Sequence, residues 1–358
     1  MKALLLDRYS HFSYTDVPDP GICEDEVLVR VEACAICGSD VHGMDGSSGR
    51  RRPPIIMGHE AAGTIEAVGA LVGAWKRGAR VTFDSTIWCG VCSYCRSGRI
   101  NLCDSRRVLG VSCEEYRRHG AMAQYVSVPA RILCAVPDET PFVRACMAEP
   151  LSIAVHAVER TPLRLGDSCL VVGAGNIGLL IIQVLRARGA GTVLAVDPDS
   201  RRRAAALELG ADRALDASET SGEQIRAISS GGVLRAFDAA GLERTLQSAL
   251  EGVRKGGSVT LVGNLAPQVS FAQQQAVTRE IDLIASCASS GEYPVCIELI
   301  RSGAVNVDAL VSHAVPLSEG AAWFERLHRR EPGLGKVVLL PWGEVSPEGL
   351  TEGSHRRV

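Results

Sequence analysis

The chain of 358 residues is long enough for two domains of ordinary size. Its 46% hydrophobic and 22% charged residues exclude a chain without a folded core. Lysine and arginine total 38 against 41 acids, the net charge is −3, and only 4% of residues are aromatic, so a basic, base-stacking nucleic-acid surface is not expected. In MKALLLDRYS, Asp7 ends the apolar run too early for a secretion signal. The longest uncharged stretch, Ser168 to Leu185, is broken by Gly173, Gly175, Asn176, Gly178 and Gln183. We therefore expect a soluble, cytoplasmic protein with no membrane and no nucleic acid among its partners.

In chain order, strands are predicted over Val27–Val31, Ala62–Val68, Arg80–Phe83 and Ala123–Val128, each apolar or alternating and set off by Gly and Pro turns. From about Leu151 strands alternate with helices. The strand Cys169–Val172 precedes a helix over Ile177–Arg188, and the strand Val193–Val196 precedes a helix over Asp199–Leu209 that Gly210 ends. Short apolar strands follow at Ala236–Ala239 and Ser258–Val262. This alternation predicts an α/β, doubly wound parallel sheet. After Ser286 the pattern is mixed, with a last strand at Lys336–Leu340 and a polar, flexible tail over 343–358.

The chain carries 13 cysteines. Cys89, Cys92, Cys95 and Cys103 are spaced C-x2-C-x2-C-x7-C, so short turns bring three thiolates together and a loop returns the fourth. Four thiolates suit a closed tetrahedral Zn²⁺ site with a structural role; an iron–sulfur cluster also uses four cysteines. The other cysteines read as small buried hydrophobes or reduced thiols.

Gly173-Ala-Gly175-Asn176-Ile177-Gly178 is G-x-G-x-x-G, lying between a predicted strand and a predicted helix as dinucleotide binding requires. Asp197 ends the next strand, 19 residues beyond Gly178, where a carboxylate can accept from the adenosine ribose and repel a 2′-phosphate. NAD is therefore expected over NADP, although Arg201, Arg202 and Arg203 follow closely. Asp197 could also serve simply as a helix N-cap. Asn176, Ile177, Arg202 and Val262 complete the candidate cofactor contacts.

Cys37-Gly-Ser39-Asp40-Val-His42, the pair His59-Glu60 and, far downstream, Glu149 supply a mixed sulfur, nitrogen and oxygen set for a catalytic zinc with an open position. Ser39 could also bond backbone at a turn and His42 could be a solvated imidazole, while Asp40 either orients its neighbours or is an ordinary polar residue. Between Cys37 and His59 runs Met44-Asp-Gly-Ser-Ser-Gly-Arg50-Arg51-Arg52-Pro. Its arginines read either as a solvated turn or as a clamp for an anionic substrate, and Arg117-Arg118-His119 forms a second basic cluster.

Taken in order, Cys37-Gly-Ser-Asp-x-His42, Gly58-His59-Glu60, the four-cysteine lobe and the glycine fingerprint resemble a zinc-dependent medium-chain dehydrogenase/reductase of the alcohol dehydrogenase superfamily, from about Met1 to Pro341. Ala148-Glu149-Pro150-Leu151-Ser152 and Ser290-Gly-Glu-Tyr-Pro294 resemble its polyol branch, including sorbitol and galactitol-phosphate dehydrogenases. Simpler alcohol dehydrogenases carry cysteine where this chain has Glu149. The resemblance implies a GroES-like β-rich catalytic domain over 1–150, with 287–342 returning to it, and a Rossmann NAD-binding domain over 151–286. Metal and nicotinamide then lie between them.

It further implies Cys37 and His59 as fixed ligands of a catalytic zinc, with Glu60 or Glu149 as the third. Ser39 and His42 become a proton relay through the cofactor ribose, Glu292 and Tyr293 face substrate, and the protein is a homo-oligomer, dimer or tetramer. The expected activity is NAD-dependent oxidation of a secondary alcohol of a polyol, possibly phosphorylated or acidic. Alternatives are a threonine-type amino-alcohol or 3-hydroxy-acid dehydrogenase, an aminocyclitol dehydrogenase or, more remotely, a non-catalytic NAD-binding protein.

Overall fold

The structure is a computed structural model that describes residues 1–113 and 116–343; beyond Gly343 the expected flexible tail lies outside the described residues. The chain divides into two compact units, one formed by Met1–Glu149 and the segment from Leu310 onward, the other by Pro150–Ala309. The expected return to the first unit at residue 287 falls instead at Leu310. The helix Tyr293–Arg301 buries Tyr293, Cys296, Ile297 and Ile300. Asn306 exchanges hydrogen bonds with Gln183 (2.7 and 3.3 Å), which ties this segment to the helix Asn176–Ala187 of the second unit.

The first unit is built on the ten-residue strand Glu26–Ala35, whose apolar positions are buried almost throughout. It pairs antiparallel with Glu60–Val68, with Tyr125–Pro129 and with the late strand Lys336–Leu340. Ala35 stands opposite both Glu60 and Val338. Two residues remote in sequence are thereby drawn to the end of one strand. A register shift between Val31 and Ala33 leaves Glu32 as the extra residue of a bulge. Gly63 lies opposite Val31, and a Cβ there would stand 2.0 Å from the Arg30 carbonyl oxygen. A core of fully buried side chains, among them Leu4, Leu6, Ile65, Phe83, Met122 and Phe324, supports this sheet.

The second unit contains a six-stranded parallel sheet in the order Arg213–Asp216, Val193–Asp197, Cys169–Val172, Val233–Asp238, Val253–Leu261, Asp282–Ala285. The chain starts at the third position, winds outward to one edge, then returns to wind toward the other. The resulting switch point lies between Cys169–Val172 and Val233–Asp238, where dinucleotides bind in such sheets. Cys169–Val172 is wholly buried, which explains its unbroken apolar sequence. Among the described residues no helix is long and apolar enough to cross a membrane.

Because backbone, not a flexible side chain, fills the space beside Gly63, Gly63→Ala is expected to lower stability by about 1–3 kcal/mol through overpacking. Urea unfolding checks this, and an unchanged midpoint would contradict the close approach of the strands.

Candidate functional site

Cys37 follows the central strand and caps the short helix Gly38–Gly43. Its Sγ receives the Ser39 backbone N–H at 3.5 Å and the Ser39 hydroxyl at 3.2 Å. Ser39 and His42 are both exposed on this turn, whereas Asp40 is fully buried. His59 and Glu60 arrive at the start of Glu60–Val68 after Gly58, whose φ of +96° and close contacts with Cys34 and Met122 admit only glycine without strain. The ligand atoms of Cys37, His59 and Glu60 lie within 4.8 Å of one another.

Glu60 Oε1 accepts from Lys336 Nζ at 2.5 Å, while Oε2, buried, has no hydrogen-bond partner. Lys336 also donates to the Ile36 carbonyl at 3.2 Å. Burial opposes its charge, but Glu60 raises its pKa above the ordinary value. Glu149, buried at the start of the helix Ala148–Arg160, accepts from Ser85 Oγ at 3.0 Å. Burial pushes the Cys37 thiol up to about 12 and the Glu149 carboxyl up to about 8. A divalent cation held by Cys37, His59 and Glu60 would favour the thiolate form of Cys37 and, beside it, the carboxylate form of Glu149. With one thiol, one imidazole and a carboxylate oxygen left unpartnered, the residues fit a zinc ion.

Cys89, Cys92, Cys95 and Cys103 form a second cluster with all ligand atoms within 4.8 Å. Backbone N–H groups of Val91 and Cys92 point at Cys89 Sγ (3.4 Å each), and that of Cys95 at Cys92 Sγ (3.5 Å). These donors lower the Cys89 thiol to about 6, poising it as a thiolate. Four sulfurs with no oxygen or nitrogen among them fit a closed zinc site.

In the second unit each glycine of the fingerprint has its own geometry. Gly173 turns at φ +94°, and Gly175 caps the helix Asn176–Ala187 with open space where a Cβ would stand. At Gly178 a Cβ would lie 1.8 Å from the Gly173 carbonyl. Asn176 and Ile177 form the first turn of that helix, half-buried. Asp197 ends its strand with the side chain buried; Oδ2 accepts from Ala174 N (2.8 Å) and Oδ1 from Asp199 N (2.9 Å). Asp199, not Asp197, caps the next helix, Ser200–Glu208. Arg202 Nη1 stands 3.8 Å from Asp197 Oδ2. Val262, just beyond Val253–Leu261, donates its N–H to the Asp238 carbonyl (3.0 Å) at the end of the neighbouring strand.

Several charged residues prove to be engaged within the fold. Arg51 is buried and bonded to Asp40, which neither a solvated turn nor an anion clamp anticipates; Arg50 and Arg52 are exposed. Arg118 pairs with Glu26 at 2.5 Å, and His119 Nδ1 accepts from Ile56 N at 3.1 Å; the Arg117 side chain lies outside the described residues. Glu292 pairs with His156 Nδ1 at 2.6 Å, and Tyr293 is buried. Lys336, Ser85 and the inward course of Arg51 had no local signal in the sequence, since each gains its partner only through strand pairing or loop return.

The chain matches two family descriptions, the alcohol dehydrogenase GroES-like domain over residues 23–138 and the zinc-binding dehydrogenase over residues 176–302. It is similar to the D-arabitol-phosphate dehydrogenase of Enterococcus avium, 32% identical over 326 residues, covering 89% of this chain and 91% of that one. It is likewise similar to the sorbitol dehydrogenase of Bacillus subtilis (strain 168), 33% identical over 347 residues, covering 95% and 97%. The crystal structure of galactitol-1-phosphate dehydrogenase from Escherichia coli superposes with a TM-score of 0.89 at 26% identity, covering 95% of this chain and 99% of that one. With both units matched and relatives aligned along most of its length, the chain belongs to the zinc-dependent medium-chain dehydrogenases/reductases, in their polyol dehydrogenase branch, and is an oxidoreductase of the alcohol dehydrogenase type.

Proposed function

We propose that the protein oxidises a secondary alcohol of an uncharged polyol with NAD as hydride acceptor. The observation that carries this reading is the convergence of Cys37, His59 and Glu60 on one point beside the exposed Ser39 hydroxyl. When bound there, zinc supplies Lewis acidity that brings an alcohol's pKa toward neutrality. Cys37, His59 and Glu60 are its protein ligands in this reading, and Glu149 stands by as a second carboxylate whose orientation Ser85 holds. Ser39 Oγ accepts the substrate hydroxyl proton as it releases its own. His42, exposed at the last turn of the same helix, passes the released proton to solvent, since an imidazole nitrogen can accept a proton and give it up again. Cys89, Cys92, Cys95 and Cys103 hold a second, structural zinc.

The cofactor is held at Gly173, Gly175 and Gly178, where the helix N-terminus offers its free N–H groups to the pyrophosphate. The buried Asp197 carboxylate sets the preference for NAD by repelling a 2′-phosphate. Within the basic clusters Arg51 and Arg118 are committed to Asp40 and Glu26, which removes two guanidinium groups from a ligand's phosphate or carboxylate and favours a neutral substrate, while Arg50 and Arg52 stay exposed.

Three outcomes are expected. Cys37→Ala lowers turnover by about a thousandfold or more, because a Lewis acid contributes several kcal/mol to the barrier. NADH binding, followed by fluorescence, persists in that variant, and full activity would overturn the metal mechanism. Asp197→Asn, which keeps a hydrogen-bond acceptor and removes the charge, lowers the NAD-to-NADP ratio of kcat/KM by about tenfold, or 1.4 kcal/mol; an unchanged ratio places the discriminating group elsewhere. In a panel of polyols, each paired with its phosphate ester or aldonic acid, NADH forms with the uncharged members. Turnover confined to the charged members would overturn the assignment of a neutral substrate.

A further inference from the structure

Three consecutive arginines interrupt the chain between Cys37 and His59, and the structure treats them differently. Arg50 and Arg52 are exposed, while Arg51 is 2% exposed. Its side chain runs back over Gly43, where a Cβ would stand 2.4 Å from Arg51 Cγ, so only glycine leaves the path open. The guanidinium then meets Asp40 Oδ1 with both Nη2 (2.7 Å) and Nε (3.3 Å), and Nη2 also reaches Ser39 Oγ at 3.3 Å. The Asp40 carboxylate, at 0% exposure, has three neighbours at once. Oδ2 accepts from the Cys37 backbone N–H (3.4 Å), Oδ1 takes the two arginine contacts, and His59 Nδ1 lies 3.6 Å from Oδ1. A histidine that binds a metal through one ring nitrogen characteristically gives the N–H of the other to a carboxylate, which fixes its tautomer and plane.

We propose that Arg51 is a positioning residue for the catalytic metal: it holds the Asp40 carboxylate facing His59 Nδ1 and the Ser39 hydroxyl beside Cys37. The inference rests on the reading of Cys37, His59 and Glu60 as metal ligands. An unpaired carboxylate at this depth is strongly disfavoured, and Arg51 is the cation that compensates it. The planar fork matters as much as the charge. Two nitrogens on one oxygen set the carboxylate's rotation, while the second contact of Nη2 restrains Ser39; an ammonium group has no such fixed geometry. The loop Met44–Pro53 thus supports the ligand residues through Arg51, and Gly43 is the residue that lets it do so.

The test loads full-length protein with ¹¹³Cd and follows each site by NMR during titration with a chelator, since an all-sulfur site and a mixed-ligand site give separate resonances. Wild type is expected to show both. Arg51→Met, which keeps the aliphatic stem, is expected to weaken the mixed site by about 10–100-fold and to move its resonance, with the four-sulfur resonance unchanged. Arg51→Lys is expected to recover only part of that affinity. In an Asp40→Asn background, Arg51→Met is expected to add less than about twofold, because the effect passes through Asp40. Wild-type affinity and shift in both Arg51 variants would overturn the proposal, as would an equal, additive loss in the Asp40→Asn background. Should Arg51→Met fail to fold, the Arg51→Lys titration decides by the same criterion. A wild-type protein that binds cadmium at the four-sulfur site alone would instead refute the ligand reading itself, so the two failures are told apart.

Discussion

The antiparallel ladder between Glu26–Ala35 and Glu60–Val68 is the constraint on which the metal site depends. Its register sets Ala35 opposite Glu60, and the same end of the strand receives Lys336–Leu340 from the far end of the chain. Side chains alternate between faces of a strand, so a slip of one residue would carry Glu60 to the opposite face and away from Cys37. The bulge at Glu32 and the close approach at Gly63 pin that register from within. Cys37 needs only a tight turn beyond Ala35 to reach the same point.

Around this point the buried charges are arranged in complementary pairs. Lys336 faces Glu60 and Arg51 faces Asp40, with side chains 3% exposed or less in every case. Such pairs contribute modestly to stability against well-packed apolar residues, but removing one partner leaves an uncompensated charge in the interior. Their value here is directional. Burial opposes the Asp40 charge, but His59 and Arg51 hold its carboxyl below the usual carboxylate range, and Oδ1 faces His59 Nδ1 across 3.6 Å. Glu60 keeps one oxygen on Lys336 and the other unpartnered. The site combines rigid second partners with unsatisfied donor atoms, which suits an ion that must be held in fixed geometry while accepting a substrate.

In the second unit the equivalent constraint is topological. Six parallel strands that reverse winding direction between Cys169–Val172 and Val233–Asp238 leave a crevice at their carboxyl ends, where the glycine turn and Asp197 are placed. Asp197 accepts from Ala174 N with one oxygen and from Asp199 N with the other, and so braces the glycine turn. Asp238 acts in parallel at the end of Val233–Asp238, on the other side of Cys169–Val172, accepting from Ala240 and Gly241.

The amino-acid sequence alone determined the elements whose cause is local. The strands Arg80–Phe83, Cys169–Val172 and Lys336–Leu340 fall where apolar runs meet turn residues. The helix Asn176–Ala187 follows its glycine fingerprint, and the four-cysteine cluster follows from spacing within a short loop. Cys37, His59 and Glu60, whose ligand atoms lie within 4.8 Å of one another, were legible as candidate ligands because sulfur, nitrogen and oxygen donors recur there at short intervals. What the sequence left open had partners far along the chain. The helix Tyr293–Arg301 belongs with the second unit because Asn306 bonds Gln183, 123 positions away, and Glu60 meets Lys336 across 276. Nothing in the run Arg50-Arg51-Arg52 distinguishes its middle member, since solvation is the default for each guanidinium. Only the return of the loop over Gly43 toward a buried carboxylate makes Arg51 an interior residue, because a charge stays in the interior only where tertiary structure supplies its counter-ion.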